Sequence, residues 1–359
     1  MPKYAPNSLP NSLPNSLPNS PPNSPIVVSS QTNYGEGIDT NEGSQDVQPR
    51  TENYEFDLDR ALTAVVGLRS IVPADAFTAD TLGTERLGHG VIIGKDGVVL
   101  TIGYLITEAE TVWLKLADGR SVQGHVIGYD QESGLGLVQA LARLDGTFLP
   151  LGDSSSVTIG TDVVIGGTGG RHNSVAAKVV AKQEFAGYWE YVLDQAIFTA
   201  PSHPHWGGTA MIGPRGELLG IGSLQVQQMR SDGKAEDINM IVPINLLKPV
   251  LEDLMKAGRP MRPSRPWLGV YATEVGNRIA IAGISDRGPA KTADLKPGDV
   301  VLQVGGAEVR NLASFFRKVW SLGEAGVDVP MVVNRKGRTL EVSVQSGDRR
   351  KFLKGPVLH

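Results

Sequence analysis

HGVIIGKDGVVLTIGYLI, His89 to Ile106, consists of two strand-length apolar runs on either side of a Lys-Asp-Gly break. Valine and isoleucine fit a pleated, half-buried surface, and the glycine supplies the positive φ that a tight hairpin turn needs. The same texture extends both ways. ALTAVVGLRSIV precedes it, TVWLKLADGRSVQGHVIGYD and LGLVQAL follow, and Ala117-Asp118-Gly119-Arg120 is a second hairpin turn. These runs predict a β-barrel or sandwich half. A second series starts at Leu149: LPLGD, DVVIGGTG, SVAAKVVAKQEF, YVLDQAIFTA, TAMIGPRGELLGIGSLQV and INMIVPI, with Gly213-Pro214-Arg215-Gly216 as a further hairpin. Two similar six-stranded barrels account for the whole region.

After the barrels the pattern changes. INLLKPVLEDLMKAG has helical spacing, with Asn245 placed to cap and Gly258 to stop it. RPMRPSRP, residues 259–266, reads as a stiff linker. From Trp267 the runs WLGVYATEV, NRIAIAGI, KPGDVVLQVGG and VPMVVNRKGRTLEVSV, with an amphipathic helix around Ser314 to Leu322, make a separate small domain over 267–348. Its last hairpin turns at Arg335 to Arg338, and residues 349–359 read as a tail. At the other end, PNSLPNSLPNSLPNSPPNSP, Pro6 to Pro25, repeats a unit whose prolines remove backbone donors, and the polar run to Asn53 follows it. Residues 1–53 are therefore expected to be a disordered tail ahead of a barrel region at 54–258.

Composition narrows the function classes. The chain has 359 residues, a net charge of −4 and scattered lysines and arginines, which gives no electrostatic footprint for nucleic acid. It has no cysteine, which excludes thiolate metal sites and a cysteine nucleophile. No apolar run approaches the roughly 18 residues that span a bilayer, and no charged start with an apolar segment behind it opens the chain, so a cytoplasmic location is expected if Met1 is the true start, and a periplasmic one is the alternative if it is not.

In their order and spacing, GVIIGKDGVVLT, LADGRSVQGHVIGYD, LPLGDSS, GPRGELLGI, IVPINLLKPVLEDL and WLGV with the later LKPGDVVLQVGG resemble the HtrA (DegP-type) family. That family joins a trypsin-like double β-barrel to a C-terminal PDZ domain, and the likeness runs from about Ala61 to Val344. It implies a mainly β fold and a serine-type endopeptidase built on a serine, a histidine and an aspartate. Residue by residue, the family has two residues after GVVLT and then the histidine, and here Ile102 and Gly103 are followed by Tyr104. The aspartate position falls on Gly134 in Gly-Leu-Gly-Leu. The family's Pro-Gly-Asn-Ser-Gly-Gly lies without a gap over Pro204-His205-Trp206-Gly207-Gly208-Thr209, so the serine position is Gly207. Deleting one residue after Trp206 also leaves no serine. With all three positions vacated, a pseudoprotease is expected, acting as a binding or scaffold protein. The alternative is an HtrA-like quality-control endopeptidase with non-standard residues.

Ser202 and Thr209, with His203 and His205 nearby, are the candidates for a displaced nucleophile and base, but neighbours on one loop rarely converge on one carbonyl. His203-x-His205 could present two imidazoles to a metal; His89, His125 and His172 stand apart in other segments, so neither metal nor cofactor is expected. Trp206 reads as space-filling, and Ser154, Ser155 and Ser156 as a structural turn. In the small domain the resemblance implies that backbone amides of Trp267-Leu268-Gly269-Val270 hold a peptide's terminal carboxylate, with the helix bearing Phe315, Phe316 and Val319 as the other wall. Expected partners are therefore C-terminal or extended peptide segments. The resemblance also implies a homotrimer, with Tyr54 and Phe56 placed for its aromatic contacts.

Overall fold

A computed structural model describes residues 26–27, 47–144, 147–229 and 233–355. The Pro6 to Pro25 repeat lies outside the described residues. Strands β2 (Val65–Ile71), β3 (Glu85–Ile92), β4 (Val98–Ile102), β5 (Thr111–Lys115), β6 (Ser121–Tyr129) and β7 (Leu135–Ala140) close a barrel in the order β2-β3-β4-β7-β6-β5. Short helices α1 (Leu58–Leu62) and α2 (Ala79–Leu82) flank β2. Alternation explains the closure: along β6 the even positions from Val122 to Gly128 are buried and the odd ones are not, which is the period-2 signature of a half-buried strand.

The second barrel uses β8 (Asp162–Gly166), β9 (Ser174–Gly187), β10 (Tyr191–Ala200), β11 (Ala210–Ile212), β12 (Leu218–Met229) and β13 (Ala235–Pro243), closed by the pairing of β12 with β13. A two-residue strand, β1 (Ile26–Val27), pairs antiparallel with β12 at Gln227 and Gln228. Part of the segment expected as tail is therefore sheet. Val47 also packs on the second barrel's core, and a 3-10 turn covers Thr51–Asn53, so ordered structure begins before the expected boundary at Tyr54.

The helix after β13 is shorter than its pattern predicts. A 3-10 turn spans Ile244–Leu246, and α3 covers only Leu251–Ala257. Pro249 disfavours helical geometry at the residue before it, which delays the helix. Asn245 does not cap α3; it accepts from the Ser154 amide and donates to Asp153, holding the turn at residues 154–156. Gly258 ends α3 in the left-handed conformation, as its position predicts.

The C-terminal domain has β14 (Val270–Val275), β15 (Arg278–Ile284), β16 (Val300–Val304), β17 (Ala307–Glu308), β18 (Asp328–Arg335) and β19 (Arg338–Gln345), with sheet order β14-β15-β16-β18-β19 and β17 on β16. Helix α4 (Pro289–Thr292) is short; α5 (Leu312–Trp320) is capped reciprocally by Asn311 and Ser314 and buries Phe315, Phe316 and Val319. Of the segment expected as a tail, residues 349–355 are packed; residues 356–359 lie outside the described residues. Phe352 sits 4.9 Å from the Trp267 ring, and the Lys354 amide donates to Glu108 of the first barrel at 2.9 Å. The linker is held too: Arg262 and Arg265 both pair with Glu132, and Arg265 lies over Trp320. Among the described residues, no helix is long and apolar enough to cross a membrane.

Candidate functional site

The cleft between the barrels is made by the end of β4, the loop before β7 and the loop before β11. A 3-10 turn after β4 (Gly103–Leu105) lifts Tyr104 towards the second barrel, where its hydroxyl donates to the Ser223 carbonyl of β12 at 2.9 Å. Gly207 faces it. A Cβ on Gly207 would lie 2.7 Å from the Tyr104 hydroxyl oxygen, so the phenol fills the space into which any side chain there would project. Gly134 stands on the other side, with φ of +79°. Its carbonyl accepts from the Gly103 amide at 2.6 Å, next to Tyr104. The three positions singled out in the sequence therefore do converge, and they bring a phenol and two glycines.

The loop around Gly207 is tied across the cleft by its backbone. The His89 amide of β3 donates to the Gly207 carbonyl and the Gly208 amide to the Gly222 carbonyl of β12, both at 2.8 Å. Two of the substitutes considered from sequence are already hydrogen-bonded. Thr209 is fully buried, with its hydroxyl donating to the Trp206 carbonyl. Ser202 is half-buried. His203 uses both ring nitrogens: Nε2 donates to the Asn173 carbonyl at 2.9 Å, which leaves Nδ1 to accept from the His205 amide at 3.1 Å.

That second bond has a chemical consequence. In trypsin-like enzymes the oxyanion is held by the amides of the nucleophile and of the residue two before it. Two before Gly207 is His205, whose amide here points at an imidazole of its own loop. Two buried imidazoles beside the cleft are poor proton acceptors at neutral pH. Burial holds His203 down to about 4, and burial with the neighbouring His203 and His205 holds His89 down to about 3. A general base works best near the ambient pH. His89 accepts from the Thr168 amide through Nδ1, and its Nε2 has no hydrogen-bond partner among the described residues. Among the described residues, no group of three histidines or acids could hold a metal.

Ser154 to Ser156 form a 3-10 turn capped by Asp153. Trp206 is half-buried. Tyr54 and Phe56 lie against the barrel core with ring centroids 5.5 Å apart.

The second candidate site is the loop Trp267-Leu268-Gly269-Val270. Gly269 has φ of +77°, and a Cβ on it would lie 2.9 Å from Gly288, so the loop needs glycine to curl with its amides on one side. The amides do converge on a carboxylate, that of Glu190 in the β9–β10 turn. Leu268 donates to both of its oxygens at 3.2 and 3.0 Å, Gly269 at 2.7 Å and Val270 at 3.1 Å. The Trp267 amide is used elsewhere, on the Gly347 carbonyl. Sequence reading gave Glu190 no role. One signal for it existed: Gly187 pairs with Tyr191 across a three-residue turn, whose third position usually goes to glycine.

A trypsin-like peptidase domain model matches residues 88–221, and a PDZ domain model matches residues 266–345. A probable periplasmic serine endoprotease DegP-like from Hahella chejuensis is 30% identical over 281 residues, covering 73% of this chain and 57% of that protein. A serine protease Do-like HtrA from Lactobacillus helveticus is 26% identical over 294 residues, covering 74% and 69%. The chain thus spans little more than half the length of its DegP-like relatives. Among solved structures, the HtrA-type protease AlgW with decapeptide superposes with a TM-score of 0.50 at 21% identity, over 84% of this chain and 98% of that one.

Proposed function

The chain belongs to the HtrA family of trypsin-like peptidases with a PDZ domain, and from that premise we propose that it is a non-cleaving member that works by binding peptide segments through its PDZ groove. One observation carries the reading: the Tyr104 hydroxyl stands where a side chain on Gly207 would go, in a cleft whose third position is also glycine. A phenol titrating near pH 10 is a poor general base, and glycine offers neither hydroxyl nor carboxylate. The His205 amide, turned onto His203, removes one of the two donors that would stabilise an oxyanion. The periplasmic relatives support a periplasmic setting for this function, in place of the cytoplasmic one expected from the sequence. A homotrimer belongs to the same proposal, and the Tyr54 and Phe56 rings already have intramolecular packing partners.

The test is incubation of the purified protein with unfolded casein and, separately, with a fluorophosphonate probe followed by peptide mass mapping. No cleavage and no adduct is the expected result. The relatives' endoprotease names favour a second reading, an endopeptidase with other catalytic residues; casein cleavage with an adduct on Ser202 or Thr209 would establish it.

Gly207→Ser alone is expected to restore nothing. Its Cβ would collide with Tyr104, and overpacking of this kind costs about 1–3 kcal/mol. Urea denaturation should show the loss, and fluorophosphonate labelling should stay at background. Adding Tyr104→His should recover stability without labelling, because Gly134 still supplies no carboxylate to orient the new imidazole.

A further inference from the structure

The amides that hold Glu190 belong to the loop that, in a PDZ groove, receives a peptide's terminal carboxylate. The likeness of Glu190 and its turn to a bound ligand extends beyond the carboxylate. The Tyr188 carbonyl accepts from the Ala272 amide at 2.9 Å, so the segment before Glu190 bonds to the free edge of β14, the side away from β15. Val192 is buried in one apolar cluster with Leu268, Val270, Phe316 and Val319. On the far wall, Arg317 of α5 pairs with both Glu184 of β9 and Asp194 of β10.

Glu190 is also held in a conformation it does not favour. Its φ is +63°, in the left-handed region that costs a non-glycine residue on the order of 1 kcal/mol or more. Glycine would relieve that strain. A glutamate there leaves the strain in place and supplies a carboxylate that meets three convergent amides.

We infer that the β9–β10 turn is the PDZ domain's own ligand, with the Glu190 side chain standing in for a C-terminal carboxylate. An incoming peptide must then carry a free C-terminal carboxylate and a small apolar last residue of about valine size, and it binds by displacing Glu190. This rests on the reading of the groove as a peptide site. Because the internal ligand is tethered, it competes at high effective concentration, and the apparent affinity for an external peptide falls by the fraction of open molecules.

The test uses the full chain, Glu190→Gly and Glu190→Gln. Glycine suits the turn, so the first variant removes the carboxylate without harming the hairpin; glutamine keeps the shape and presents an amide to the three donors. The probes are a fluorescein-labelled decapeptide pool ending in free valine and the same pool ending in valinamide, read by anisotropy. Hydrogen exchange at Leu268, Gly269 and Val270 is measured in parallel. The expected result is at least tenfold tighter binding of the free-acid pool and faster exchange at the three amides in Glu190→Gly, binding and exchange near the parent's in Glu190→Gln, whose neutral amide mimics the protonated carboxyl, and no binding of the valinamide pool. Equal binding by parent and Glu190→Gly, with unchanged exchange, overturns the internal-ligand inference and leaves the peptide site standing. Faster exchange in Glu190→Gly with no binding of either pool supports the internal ligand and overturns the peptide-binding reading.

Discussion

Gly208→Ala will destabilise the protein by about 4 kcal/mol or more, a size reached by few single substitutions. Gly208 has φ of +80°, and a Cβ on it would lie 1.9 Å from the His89 carbonyl oxygen and 2.9 Å from the Thr101 hydroxyl. The conformation alone costs alanine about 1–2 kcal/mol. The remainder comes from displaced backbone, because no flexible side-chain tip is available to yield at 1.9 Å. Moving the loop away strains three bonds together: His89 amide to Gly207 carbonyl, Gly208 amide to Gly222 carbonyl, and Thr101 hydroxyl to His89 carbonyl. Each is worth about 1 kcal/mol, and together they join β3 and β4 of one barrel to β12 of the other. Gly119→Ala is the comparison. Its φ is +87° with nothing within 4 Å of the added Cβ, so only the conformational cost applies. Urea denaturation of both variants measures the difference; equal losses would show that the loop does not approach β3 so closely.

The same glycine shows what could be read in the sequence. The barrels were legible because strand alternation and hairpin turns are local properties, visible within ten residues. The loop Pro204 to Thr209 falls in register by its likeness to the family's Pro-Gly-Asn-Ser-Gly-Gly, and the structure shows its second glycine against the His89 backbone. Gly207 follows from that register, and Tyr104 and Gly134 from the runs GVVLT and Gly-Leu-Gly-Leu. The break before α3 was also visible, in Pro249, but helical spacing on both sides concealed it.

The rest depended on pairs of segments far apart in the chain. Tyr104 could be seen to replace a base, yet only the fold shows its hydroxyl bonded to Ser223 and blocking Gly207. The use of the His205 amide is likewise a fact of loop geometry. Residues 349–355 read as a tail because their apolar content is slight; Phe352 finds Trp267 and Phe77 in another part of the fold. Glu190 lies 78 residues before the loop that holds it. No periodicity or composition links a charged turn residue to a set of backbone amides.

Peptide binding by the PDZ groove will strengthen as pH rises from about 5.5 to 8.5, by up to about thirtyfold, and Glu190→Gly will flatten the profile. Burial pushes the Glu190 carboxyl up to about 7, against the opposing pull of the Leu268, Val270 and Gly269 amides and of Arg349. Released from the groove, the side chain would titrate near 4, as an exposed glutamate does. The docked turn therefore holds a proton that the free turn gives up between these two values. Docking is at full strength below the lower value and is lost progressively as pH rises through the upper one. A difference of two to three pKa units corresponds to about 3 kcal/mol of docking free energy. An external peptide gains what the internal ligand loses, its own terminal carboxylate being ionised in solution throughout the range. The neighbouring cavity, about 710 Å³, is lined by His125, Asp130, Glu132, Arg262, Arg265 and Arg349 among others, and Glu132, whose carboxyl burial pushes up, adds a slope of its own. That slope survives in Glu190→Gly, so the difference between the two profiles isolates the Glu190 carboxyl. Anisotropy titrations with the free-valine pool across the range measure both. Parallel profiles would mean that the proton on Glu190 does not control the groove, even where its carboxylate fills it.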